Sequence, residues 1–208
     1  MSRIHWIIDN GHGGIVGGKY VTAPAKMHTF EDGFKVYEGV FNRSVVAKLA
    51  YMLTTEGIPF TLCVPENNDV SLTERKRRTN EININKGGNT VFVSVHGNAG
   101  GGTGFEVFTT RGETKADPIA TVFFNELQKE FPGKRMRPDV TDGDVDKEAN
   151  FTVLMCKPPA VLTENLFFDN RADAELMMSD DGQNRIAAAH FEAIKMIDAK
   201  FSHISEIK

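Results

Sequence analysis

Cysteine is scarce in this sequence, with only Cys63 and Cys156 among 208 residues. Neither belongs to a C-x-x-C pair and both fall in runs that read as buried strands, so they are expected as free thiols lining the core. No apolar run approaches the ~20 residues that cross a bilayer, which excludes membrane insertion by a helix. The amino terminus lacks the basic start and apolar stretch of a secretory signal. A soluble chain made in the cytoplasm is therefore expected, one that needs another agent to release it if it works elsewhere. Positive charge is not in excess either: 24 Lys and Arg stand against 28 Asp and Glu, for a formal charge of -4. Such a surface has no general attraction for nucleic acid. The one basic cluster, Arg75-Lys76-Arg77-Arg78, reads as a solvated helix face.

Repeats, low-complexity tracts and linkers are absent too, and the length suits one domain with a sizeable core. Along it, short β-rich runs alternate with amphipathic segments. His5 to Asp9 reads as the first strand, and Phe41, Val45, Leu49 and Leu53 then recur every four residues, as one face of a helix does. Gly57 ends that helix, and Pro59 to Val64 supplies a second strand. "SLTE" at Ser71 to Glu74 has the form of a capping box, opening a helix that ends at Gly87-Gly88. "TVFVSV", Thr90 to Val95, suits a strand covered on both faces in a parallel sheet.

Phe105 to Thr109 follows as a further strand. Pro118 then begins a helix whose inward stripe is Ile119, Val122, Phe123, Leu127 and Phe131. Pro132 to Asn150 has no clear period and reads as a surface loop bordering a site. Phe151 to Met155 and Ala160 to Thr163 read as the last two strands, and Ile186, Ala189, His190, Ala193, Ile194 and Ile197 mark a closing helix. The expected fold is a single α/β domain: a mostly parallel, twisted sheet of about six strands flanked by helices on both faces.

In open α/β sheets, ligands gather outside the carboxyl ends of the strands. Three strands here end in metal-binding or proton-transfer groups: "DNGHGG" places His12, "HGN" after Val95 places His96, and "AVLTEN" places Glu164. A fourth group, Glu38, precedes Phe41, Val45 and Leu49 by three, seven and eleven residues, which puts a carboxylate on the inward face of the first helix. Each has an ordinary reading taken singly, a hydrogen-bonded histidine or a first-turn acid complementing the helix dipole. Their joint placement is what argues for a site. Two imidazoles and one carboxylate are the ligand set of an open catalytic zinc centre, and a further carboxylate beside the water supplies a general base. The glycines at 11, 13 and 14 let backbone and substrate come close.

These residues resemble the zinc-dependent N-acetylmuramoyl-L-alanine amidases of the Amidase_3 family, which are peptidoglycan hydrolases. The likeness runs through "IIDNGHGG", Glu38, "VSLTERKRRTNE", "FVSVHGN" and "NFTVLMCKPPAVLTENLFFDNRAD", nearly the whole chain. Carried over residue by residue, it implies one zinc ion on His12, Glu38 and His96, with Glu164 of the P-x-x-L-x-E motif as the catalytic acid and base. Asn10 departs from the proline usual before the glycine, which alters local stiffness and removes no ligand. Glu31 is the nearby competitor for Glu38, and its loop position fits the helix start less well.

The activity implied is cleavage of the amide between the lactyl group of N-acetylmuramic acid and L-alanine of the stem peptide. Asp9 or Asn98 is expected to orient ligands from behind. His190 is expected to pack within its helix, while His5, His28 and His203 lack a matching site partner and read as surface or strand residues. The segments Gly17 to Phe34 and Pro132 to Asn150 are where substrate contacts are expected. The chain reads as a bare catalytic domain without a separate wall-binding domain, active on peptidoglycan or muropeptides without an obligate protein partner, and fitted to a phage or prophage endolysin. Two rivals stand beside this: a thiol amidase using Cys156, and a zinc-containing muropeptide-binding module without hydrolysis.

Overall fold

The alternation of apolar runs and amphipathic segments is realised as β1 (His5–Asn10), β2 (Ile15–Val16), β3 (Lys19–Tyr20), β4 (Met27–Thr29), β5 (Lys35–Tyr37), α1 (Glu38–Glu56), β6 (Phe60–Leu62), α2 (Leu72–Asn85), β7 (Thr90–Asn98), β8 (Phe105–Thr109), α3 (Asp117–Glu130), β9 (Lys147–Glu148), β10 (Ala160–Phe167), α4 (Arg171–Met178) and α5 (Asp180–Lys200). The structure is a computed structural model that describes residues 3–141 and 143–207. Six strands form one sheet in the order β6-β1-β7-β10-β8-β9. The first four run parallel, and β8 is antiparallel to β10.

Alternation along β1 and β7 divides the core between the two faces of this sheet. Trp6, Ile8, Val91, Val93 and Val95 pack with the buried stripes of α1, α3 and α5. Ile7, Phe92 and Leu162 point the other way, into a smaller cluster with Cys63, Val64, Val153 and Leu154. That face is covered by α2 and by the segment after Asn150. The turns follow local chemistry. Gly57 closes α1 in the left-handed region, at φ 69°, and Gly17 and Gly18, both at positive φ, form the two-residue turn between β2 and β3.

Several expectations need correction. Phe151 to Met155 is not a strand: the amides of Leu154 and Met155 both donate to Phe151 O, curling the segment into a turn. A short apolar run suits either form, and here Val153 and Leu154 cap the smaller cluster instead of joining the sheet. Cys156 consequently lies in that irregular segment and is only partly buried, although both cysteines are free. The final strand is longer than Ala160 to Thr163, with a register shift beyond Glu164. Ser71 Oγ does accept from the Glu74 amide, but the Glu74 carboxylate turns to Arg77 and Arg78, leaving the capping box half made. The basic cluster is not all solvated, since Arg75 is 1% exposed.

Candidate metal centre

Three sequence-distant elements bring His12, Glu38 and His96 together. β1 delivers the chain to a tight turn in which His12 adopts the left-handed conformation, φ 65°. β7 presents His96 one strand over, and α1 opens with Glu38 aimed inward at 1% exposure. Close approach is possible because the intervening residues lack side chains. A Cβ on Gly11 would meet the His96 ring at 2.2 Å, and one on Gly39 would lie 1.9 Å from Gly13 O. Glu38 Oε1 is the common point, 3.1 Å from His96 Nδ1 and 3.1 Å from His12 Nε2.

One ligand atom from each of the three side chains falls within a 4.8 Å span. The donor set, two imidazole nitrogens and a carboxylate oxygen, fits a zinc-class cation. His12 Nε2 and Glu38 Oε2 are buried without a hydrogen-bond partner. Native structures seldom leave such atoms unsatisfied, and a bound ion is one resolution. Burial lowers the His12 pKa. In Glu38 burial acts upward, but the bonds and charges of His12 and His96 outweigh it and hold the carboxyl far below its usual range. In His96 burial acts downward and is outweighed by Glu38.

A chain of polar contacts fixes the cluster from behind. Arg75 donates to Asp9 Oδ1 at 2.6 Å, Ser94 Oγ donates to Asp9 Oδ2 at 2.6 Å, and His96 Nε2 lies 3.1 Å from Ser94 Oγ. With Ser94 committed to Asp9, the natural tautomer places the proton on Nε2 and leaves Nδ1 as a free lone pair facing Glu38. Arg75 also donates to Asn10 O and His12 O, and Arg43 to His12 O, so two guanidiniums strap the turn that carries His12. Of the two residues expected behind the ligands, Asp9 is linked to the His96 ring through Ser94, whereas Asn98 turns away to Glu106.

Glu164 is the register partner of His96 on the adjacent strand. It shares with His12 and His96 a cavity of about 320 Å³, also lined by Lys26, Leu72, Asn150, Phe151, Thr152, Val153 and Leu162. Its Oε2 is shielded and unpartnered. Burial, partly offset by the His96 charge, pushes its pKa up to about 8. A carboxyl poised in this way can exchange a proton near neutral pH.

All four residues singled out in the sequence therefore meet at one place. Glu31 does not; it stays exposed and borders a separate cavity with Asp32 and Arg171. His190 is buried and satisfied, between Thr163 Oγ1 and Ile186 O. His5 pairs with Thr61, His28 packs on Phe30, and His203 caps the short turn at Ser205, so none of these three enters the centre. Sequence reasoning missed Lys26, whose Nζ lies 3.8 Å from Glu38 Oε2. A lysine in a short, irregular glycine- and proline-containing stretch offers no periodic signal to find it by.

Comparison with known proteins places this geometry in context. Residues 7–196 match the family model Amidase_3, described as N-acetylmuramoyl-L-alanine amidase. Over 207 residues the chain is 28% identical to the endolysin of Bacillus phage SPP1, covering 95% of this chain and 66% of that protein. It is 30% identical over 184 residues to the N-acetylmuramoyl-L-alanine amidase CwlM of Bacillus licheniformis, covering 88% of this chain and 64% of the relative. The chain thus spans just under two thirds of the length of these curated relatives. Among solved structures, the N-acetylmuramyl-L-alanine amidase Ami1 of Mycobacterium smegmatis superposes with a TM-score of 0.76 at 20% identity, covering 96% of this chain and 99% of that one, which speaks to the fold.

Proposed function

The chain belongs to the Amidase_3 family of N-acetylmuramoyl-L-alanine amidases, and from that premise we propose that it is a zinc-dependent amidohydrolase that cuts the bond between the lactyl group of N-acetylmuramic acid and L-alanine of peptidoglycan stem peptides. The observation that carries this reading is the convergence of His12, Glu38 and His96 on one ligand-sized point, with Glu164 lining the same cavity.

One zinc ion held by those three side chains would supply Lewis acidity, polarising the scissile carbonyl and acidifying water. The remaining work falls to protein groups. Glu164 accepts a proton from the attacking water at a carboxylate oxygen and delivers it to the leaving amine nitrogen of L-alanine. The Arg75–Asp9–Ser94 chain holds the His96 ring with Nδ1 toward Glu38, where it would serve as a ligand to that ion. Phe151, Val153 and Leu162 supply the apolar wall against which a substrate excludes water. We place the whole chain in one catalytic domain that acts on the wall after release, without an obligate protein partner, in the manner of an endolysin; its similarity to a phage endolysin supports that role. No helix among the described residues is long and apolar enough to cross a membrane.

The test is digestion of purified peptidoglycan by zinc-loaded wild type and Glu164→Ala, with metal content measured and products identified by mass spectrometry. Release of intact stem peptides with free L-alanine amino termini by wild type, and not by the zinc-bound variant, is the expected result. If neither protein cleaves and both bind wall fragments, the amidase reading gives way to a muropeptide-binding module.

A further inference from the structure

The acidic segment between Asp139 and Glu148 plays no part in the reading above, and it holds an unexplained arrangement. Asp146, immediately before β9, is 1% exposed. Its Oδ2 accepts from Thr109 Oγ1 at 2.6 Å. Its other oxygen, Oδ1, is shut off from solvent and meets no donor, and the Oδ1 of Asp144 is in the same condition. Asp144 stands close enough to raise the Asp146 pKa, and Asp117 adds a further negative charge nearby. Lys115 and Lys147, which flank these acids in sequence, donate instead to Ile204 O at 2.9 Å and to Glu106 at 2.7 Å.

Buried carboxylate oxygens that meet no donor and stand beside further carboxylates are costly unless a proton or a cation neutralises them. Asp144 borders a cavity of about 510 Å³ together with Asp117, Glu113 and Thr114, which gives a hydrated ion a route to it. We propose that Asp144 and Asp146 form a second cation site, separate from the histidine centre, that takes a hard divalent ion of the calcium type. The donors are oxygen alone, carboxylates completed by water, which suits calcium or magnesium and not the softer ions that histidine favours. A ligand set of only two carboxylates, the rest water, implies weak binding, with a dissociation constant on the order of 10⁻⁴ to 10⁻³ M.

The ion has a structural task to perform. β9 is only two residues long and is held by its register against Phe108 and Thr109. Lys147, its first residue, reaches Glu106, the rung partner of Glu164. A cation on Asp146 therefore fixes the start of β9 and, through it, the lysine beside the candidate catalytic edge.

Isothermal titration of the zinc-loaded full chain with calcium chloride tests this, using wild type, Asp146→Asn and Asp144→Asn, with folding checked by circular dichroism. The expected result is one saturable site, at least tenfold weaker in each variant, with zinc content unchanged. Wild type should also melt about 3–6 °C higher at ten times the dissociation constant. If wild type shows no saturable binding up to about 10 mM calcium, or if binding survives both substitutions, the site does not exist. A shared proton would then explain the pair, seen as substitutions that raise the melting temperature without any calcium dependence. Should Asp146→Asn not fold, Asp144→Asn decides, because that residue is less buried.

Discussion

Glu164 and Glu106 face each other as register partners on the antiparallel pair β10 and β8, yet their surroundings are opposite. Glu106 accepts from Arg137, Lys147 and Asn98 at 2.5–2.8 Å. Burial acts to raise its pKa and these contacts outweigh it, so Glu106 stays ionised. Glu164, with a shielded oxygen and no donor, is pushed up to about 8. Two carboxyls on one rung are thereby separated into a fixed anion and a proton carrier, the pattern by which environment assigns acid and base roles.

The raised carboxyl has a measurable cost. A folded-state pKa above the unfolded value means that the folded protein binds the extra proton, so Glu164 favours folding at low pH and opposes it as pH rises from about 4.5 to about 8. In chelator-treated protein, Glu164→Gln should melt several degrees above wild type at pH 8.5, and the gap should close toward pH 5. Calorimetry across that range checks it. A gap that does not change with pH would mean that folding leaves the Glu164 pKa where it stands in the unfolded chain.

His190 works in the opposite sense to Glu164. Burial holds its pKa down to about 4, against 6.5 for an unfolded histidine. Its contribution is complete above pH 6.5 and is lost as pH falls toward 4, by up to roughly 3 kcal/mol. The variant His190→Gln should be less stable than wild type at pH 7.5, with a difference that narrows at pH 4.5. Urea denaturation at the two pH values measures this. Comparing the two proteins cancels the separate acid sensitivity of the ion-paired carboxylates.

The thiol-amidase alternative predicts a reactive cysteine, and neither thiol is placed for it. Burial pushes Cys63 and Cys156 up to about 12, leaving roughly one molecule in 10⁴ as thiolate at pH 8. Iodoacetamide at that pH should leave the native mass and wall-degrading activity unchanged, while both residues label after unfolding. Loss of activity in step with alkylation at Cys156 would revive the thiol mechanism.

What could be read in the sequence follows from how far each signal reaches. His12, His96 and Glu164 were visible because each ends an apolar run, and Glu38 because a charge interrupts the inward stripe of α1; both are local patterns that the fold had to honour. Arg75 was hidden. Its neighbours Lys76, Arg77 and Arg78 read as a charged face, and only the tertiary structure shows that this position passes under the turn after β1 to reach Asp9 and two carbonyls. The segment Phe151 to Met155 failed for the reverse reason, since its apolar residues are buried as a turn laid over the sheet and periodicity does not separate that from a strand. The hairpins between Ile15 and Tyr37 and the short helix α4 fell below any repeat long enough to detect.

Ser94 offers a direct test of the chain behind the metal centre. Replacing it with alanine removes the link between Asp9 and His96 without changing the backbone of a strand buried on both faces. Zinc affinity should fall about 10–100-fold, the usual effect of losing a group that orients a ligating histidine. Competition against a chromophoric chelator reads this. Unchanged affinity would show that the ring is held by packing alone.

Gly11 and Gly18 separate close packing from backbone freedom near the same centre. Both lie in the glycine-rich stretch after β1, but a Cβ at Gly11 would meet the His96 imidazole at 2.2 Å, whereas at Gly18 it would meet nothing within 4 Å. Gly18→Ala strains only a left-handed turn, at φ 77°, with an expected cost of about 1 kcal/mol and no change in zinc affinity. Gly11→Ala has no such escape. The His96 ring would be forced off the Ser94 contact and away from Glu38, so zinc affinity and hydrolysis should both fall by at least about 100-fold, beyond the effect of losing the orienting group alone. Zinc competition and peptidoglycan digestion measured on the two alanine variants make the comparison, and equal losses from both would mean that turn conformation, not the space beside His96, governs the site.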